Sequence, residues 1–158
     1  MRSFLRRKIW EPLLTLLKQG LSPSQLAFSV ALGAWIAVFP ALGVTVLLCT
    51  AAAMVLRLNM IAIQTANFAA YPLQFVLLLP FFRAGAWLFN SPPLKMSAAE
   101  FVSLVAHDPL GAISRFWVIT WEGAVAWALA GLLLVPLAWA LLTPAFTRIA
   151  RDLKGEAA

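Results

Sequence analysis

From Gln19 to Leu56 the chain carries no charged residue over 38 consecutive positions. One straight helix over 24–56 would be about 50 Å long, whereas the hydrocarbon core of a bilayer is about 30 Å thick. The run must therefore tilt strongly or fold back. Phe39-Pro40-Ala41-Leu42-Gly43 lies at its middle. Pro40 removes a backbone donor and clashes with the preceding turn, and Gly43 permits a left-handed backbone angle. The halves 24–39 and 44–56 would measure about 24 Å and 20 Å, each short for a full crossing. The sequence predicts a hairpin over 24–56 that enters the membrane and returns to the same face. Its tip then needs protein or water to cover the freed backbone groups. A kinked, tilted span is the alternative.

Composition supports the membrane setting. The chain is 63% apolar and 11% charged over 158 residues, against about 45–50% and about 25% for a soluble domain. Disorder is excluded, because disordered chains are poor in apolar residues. A soluble globule of this size has too much surface to hide so much apolar material. The length fits one domain. The expected fold class is all-α: a polytopic membrane protein with the re-entrant hairpin, two full transmembrane helices and an N-terminal amphipathic helix.

The net charge of +6 comes from 12 Lys+Arg against 6 Asp+Glu. Arg2, Arg6, Arg7, Lys8 and Lys18 lie at one end, and Arg148, Arg151 and Lys154 at the other. Basic residues flanking apolar blocks hold those ends on the cytoplasmic side, so membrane lipids are the expected partner and nucleic acid is not. Cys49 is the single cysteine and His107 the single histidine. The sequence therefore predicts no intramolecular disulfide, no metal site and no cofactor. No nucleophile–base pair, paired carboxylates or phosphate loop is present, so no enzyme is expected. The first twenty residues lack an apolar core followed by a small-residue cleavage site, so the membrane segments are expected to direct insertion.

Along the chain, residues 1–20 hold an interfacial amphipathic helix, with Leu5, Ile9, Leu13, Leu16 and Leu17 on its apolar stripe. Such a helix lies flat on anionic lipid, or serves only as an orientation signal. Ser22, Pro23 and Gln25 make a capping box with proline at the first helical position. Ser29, Gly33 and Ala37 form a small-residue stripe that lets helix backbones approach. Arg57-Leu58-Asn59 marks an interface, because arginine at mid-bilayer costs at least about 2.5–3.5 kcal/mol.

Residues 60–82 form a transmembrane helix bounded by Arg83, with Pro72 kinking it and Pro80 ending or bending it. Gln64, Asn67, Tyr71 and Gln74 fall on one face at helical spacing. That face must meet another helix, another subunit or a wet cavity, because amides facing lipid would go unsatisfied. The plainer alternative is interhelical packing.

Residues 91–114 read as an extramembrane loop. A capping box at Ser97–Glu100 opens a short helix there, and His107-Asp108-Pro109 closes it. His107 reads as a surface residue. The last transmembrane helix occupies 115–143, with its core at 116–142, and a basic cytoplasmic tail covers 144–158. Glu122 bounds 25 uncharged positions before Arg148. It snorkels or pairs with Arg115, or else stands as a buried acid in a proton path. Two basic termini demand an even number of crossings, which the hairpin and two spans satisfy. A three-crossing arrangement is the competitor.

The order Gly20-Leu21-Ser22-Pro23, Ala27, Ser29, Ala31 and Gly33, Pro40 and Gly43, then Arg57-Leu58-Asn59 resembles the bacterial membrane proteins grouped as domain of unknown function 2062. The resemblance covers roughly residues 18–90, and so frames a membrane core at 21–90. Where that family has an Asn-Pro pair, this chain has Asn67-Phe68, with its nearest proline at Pro72. The resemblance implies a small multi-pass protein of the bacterial inner membrane. Relatives fused to glycosyltransferase-like domains imply a link to envelope or lipid-linked sugar metabolism.

Two functions fit these readings. The first is a transport or lipid-handling module, because broken helices with polar faces at membrane depth build transporter sites. Arg57 and Arg83 would receive an anionic headgroup from opposite interfaces. Asn59, Gln64 and Asn67 would line the path, with Tyr71 and Gln74 continuing the face. One hairpin and two crossings are too few to enclose a pathway, so a homo-oligomer or a partner membrane protein is expected. The second is a scaffold that binds and orients an envelope-biosynthesis enzyme. In both, Ser22, Pro23, Gly33, Pro40, Gly43 and Pro72 are structural.

Overall fold

The computed structural model describes residues 15, 22–41, 43–92, 107 and 109–155, without side chains at 109–110, 112–113, 115 and 153–155. Among them are four helices and no strand: α1 Pro23–Ala37, α2 Thr45–Leu56, α3 Met60–Leu88 and α4 Pro109–Gly155. The amphipathic helix expected over 1–20 and the short helix expected after Ser97 lie outside the described residues.

Local chemistry sets the ends of the first two helices. Ser22 is extended, and its hydroxyl accepts from the Gln25 N–H at 3.2 Å, with Pro23 in the first turn of α1. A side-chain acceptor satisfies one of the orphan amides there, and proline loses nothing by having none. After Val38 the chain leaves the helix and turns through Gly43 at φ +84°. A Cβ there meets no atom within 4 Å, so only backbone strain opposes a side chain. Gly43→Ala should therefore cost about 1 kcal/mol, read as a small fall in melting temperature with no loss of assembly.

α2 buries Thr45, Cys49 and Ala53, one residue per turn. That is one narrow stripe. Cys49 and Ala53 pack back onto Ile36 of α1 and against Ile63 of α3, so α1 and α2 form a helical hairpin. Arg57 ends α2 in the left-handed region (φ 53°, ψ 43°), its N–H bonding to the Ala53 carbonyl. Asn59 then caps α3, accepting from the Ala62 N–H at 2.9 Å. The Arg57-Leu58-Asn59 step is thus a helix stop and a helix start separated by one residue.

Among the described residues two helices are long and apolar enough to cross a membrane: Met60–Leu88, and Phe116–Asp152 within α4. Both differ in extent from the blocks read in the sequence. α3 does not end at residue 82 but continues through Pro72 and Pro80 to Leu88. α4 runs from Pro109 through Pro136 and Pro144 to Gly155. It therefore absorbs part of the expected loop and most of the expected tail. Charges mark where apolar side chains stop, but the backbone ladder is indifferent to side-chain polarity. A proline in a helix packed among others forfeits one bond without ending the helix.

α1 sits at the centre. It buries Leu26, Ala27, Ser29, Ala31, Gly33, Ile36 and Ala37, residues that cover more than half of its circumference, broader than the stripe of a surface helix. α4 runs antiparallel to it: Gly123 lies beside Pro40, Gly131 beside Trp35, and the Trp139 indole donates to the Ser24 carbonyl at 3.1 Å. At the Ser24 end, Leu26 and Ala27 pack with Ala62 and Phe146. Each helix pair in the α1, α3, α4 trio closes on a glycine. A Cβ on Gly33 would lie 3.0 Å from the Ile63 carbonyl carbon, and one on Gly85 would lie 2.5 Å from that of Glu122. One on Gly131 would collide with the Trp35 indole. Small residues at crossings let backbones touch, which is how helices gain packing where water does not drive association.

A polar seam beneath the hairpin as candidate functional site

Gln64, Asn67 and Gln74 of α3 face the protein interior, and the hairpin covers them unequally. The Gln64 Nε2 donates to the Val46 carbonyl and to Thr50 Oγ1, both at 3.1 Å, and so ties α3 to α2. The Gln74 Nε2 donates to the Phe39 carbonyl at 2.7 Å and the Ala41 carbonyl at 3.0 Å. Those carbonyls belong to the turn past the end of α1, where that of Phe39 also accepts from the Ala41 N–H at 2.8 Å. Gln74→Leu would leave both without this donor, and should lower stability by about 2 kcal/mol, measured as a shift in detergent or urea unfolding.

Asn67 lies between these two ties. It is fully buried, and neither its Nδ2 nor its Oδ1 has a partner. The Oε1 atoms of Gln64 and Gln74 are likewise buried and unpaired. The α3 face is therefore a seam with an amide clamp at each end and an unclamped amide in the middle. Such atoms are rare in folded proteins, because an unpaired buried amide group costs roughly 1–3 kcal/mol. The seam can hydrogen-bond a polar group through paired donors and acceptors.

The other sequence-predicted residues are elsewhere. Tyr71 is half-buried and stands edge-on to Phe75 at 6.0 Å between ring centres. The Asn59 side-chain oxygen is taken up in capping α3. Arg57 is exposed at the α2–α3 corner, and Arg83 is exposed near the far end of α3. Pro40 is buried at the hairpin turn, and Pro72 is exposed within α3. Gly33 carries the contact with α3 described above.

Two contacts near the hairpin turn join residues far apart in the sequence. Trp35 stacks on Trp127 at 5.9 Å and 13°, while Phe39 meets Trp127 edge-on at 5.0 Å. The Trp127 indole donates to the Trp35 carbonyl at 3.1 Å. Glu122 is 7% exposed and accepts a hydrogen bond from the Ser91 hydroxyl. The sequence signal for Glu122 is its position as the one acid between Asp108 and Asp152; nothing in sequence spacing points to Ser91. Among the described residues no three His, Cys, Asp or Glu side chains come together as a metal site.

No curated protein and no solved structure matches the chain. A family model does, and it extends beyond the 18–90 stretch that carried the sequence resemblance to cover residues 6–152. The chain belongs to the bacterial family described as "Uncharacterized protein conserved in bacteria (DUF2062)".

Proposed function

We propose that this chain is a non-enzymatic, multi-pass protein of the bacterial inner membrane, with both termini cytoplasmic. It serves there as a transport or lipid-handling module for an anionic or lipid-linked envelope metabolite. The membrane setting is supported by outward faces that water would not tolerate: Leu47, Val55, Leu132 and Leu133 are each at least 70% exposed. Contiguous apolar surface on that scale marks contact with lipid or protein. The hairpin α1–α2 is read as re-entrant, entering and leaving on the cytoplasmic side.

The observation that carries the reading is Asn67, fully buried with both amide atoms unpaired. A cost of that kind persists where the group is needed in a second state. In that state the hairpin releases the Gln64 and Gln74 ties and Asn67 meets a polar group. Arg57 and Arg83 attract the anionic part of the substrate at the two interfaces. Two long helices and one hairpin do not enclose a pathway, so the working unit is a homo-oligomer or includes a partner membrane protein.

The scaffold reading has one observation in its favour, namely that Gln64 and Gln74 already bond to protein atoms. Cysteine scanning separates the two. Single cysteines at 64, 67 and 71 in a Cys49→Ala background should react with a polar thiol reagent in membranes, and those at 63 and 66 should not. Uniform protection at all five positions removes the transport reading and leaves the scaffold.

A further inference from the structure

At the Ser24 end of the bundle an open groove of about 580 Å³ runs between the first turn of α1 and the C-terminal part of α4. Its walls are mixed in polarity. Trp139, Ala140 and Pro144 give an apolar wall on α4. Thr143 and Thr147 are interleaved with that wall along α4, and Ser24 of α1 stands against Trp139. Arg148 and Arg151 close the outer end, both exposed and one turn apart on the same helix. Asp152, the acid next to them, is not part of the lining.

The groove is held open by fixed parts. The Trp139 indole donates to the Ser24 carbonyl and approaches Ser24 Oγ at 3.3 Å, pinning α1 to α4. Thr143 and Thr147 each donate to a backbone carbonyl one turn back, so their hydrogens are committed to the helix and their oxygens keep acceptor capacity. From Trp139 to Arg151 is about 18 Å along the helix. Over that length apolar residues and threonines alternate, and the lining ends in two cations.

We propose that this groove binds the headgroup of an anionic phospholipid. The arginines take the phosphate, for which a planar guanidinium offers paired donors. The hydroxyls meet the glycerol and ester region, and the apolar wall takes the start of an acyl chain. A soluble anion would use the arginines alone and has no use for the wall. Binding here needs no release of the hairpin, so it stands apart from the transport reading.

The test uses the full-length protein in detergent, with melting temperature and native mass spectrometry as readouts. Phosphatidylglycerol should stabilise the protein and be retained about tenfold more than phosphatidylcholine. The Arg148→Gln/Arg151→Gln double variant should lose that preference. So should Thr143→Leu, which fills the groove and leaves every charge in place. Lys95→Gln, a basic residue outside the lining and without a role in the transport reading, should keep it.

The proposal is overturned if the wild-type protein shows no preference. It is overturned equally if Thr143→Leu retains the preference, because attraction is then diffuse charge and not a site. Competition by inorganic phosphate as strong as that by phosphatidylglycerol overturns it too, since the ligand is then a free anion.

Discussion

Gly85→Leu should be the most damaging single substitution in the bundle, destabilising it by about 3 kcal/mol or more. A Cβ at Gly85 falls 2.5 Å from the Glu122 carbonyl carbon and 2.7 Å from the Gly123 nitrogen. These are backbone atoms of α4, which can yield only by moving the helix. Gly131→Leu presses instead on the Trp35 indole, a side chain with some freedom to shift, and should cost less. Gly33→Leu, against the Ile63 backbone, belongs with Gly85. Unfolding of the three variants in mixed detergent gives the ranking. A larger loss at Gly131 than at Gly85 would show that backbone contact does not limit the α3–α4 packing.

Asn67→Leu should do the opposite to stability while removing function. The two side chains share one branched skeleton, and leucine has no polar atom to leave unpaired. Relief of both orphaned amide atoms should raise stability by about 1–3 kcal/mol, seen as a higher melting temperature of the purified protein. The transport phenotype should be lost with expression intact, a trade between stability and activity of the usual kind. A fall in melting temperature would mean that the amide is hydrated or paired in the folded protein. A normal phenotype at normal expression would remove Asn67 from the site.

How much of this was legible in the sequence depends on the range of the chemistry. The start of α1 could be read from Ser22 and Pro23, because capping involves only residues of one turn. The turn between α1 and α2 could be read from Pro40 and Gly43 for the same reason. The α3 face could be marked from the spacing of Gln64, Asn67 and Gln74, since helix period alone places side chains on a face. What each amide meets could not be read. The partners of Gln74 are backbone carbonyls more than thirty residues earlier, and any residue type offers a carbonyl.

The helix ends of α3 and α4 were not legible because Arg83 and Arg148 mark where apolar side chains stop and not where the backbone ladder ends, and because Pro80 carries the weight in sequence that it has in an isolated helix. Packed neighbours reduce that weight. Gly85, Gly123 and Gly131 give no local sign of their role, because a glycine at a crossing looks the same in sequence as one anywhere else.

The three glycine contacts have a mechanical consequence. They join α1 to α3, α3 to α4 and α4 to α1, with Gly123 against Phe82 bracing the α3–α4 side a second time, which is the arrangement of a braced triangle. No member of such a frame can slide without loosening both others. α2 stands outside it, attached along one stripe of small side chains and by the single Gln64 tether. Among the described helices, α2 is thus the short rod left outside the frame, jointed at corners where Gly43 and Arg57 turn the backbone through positive φ.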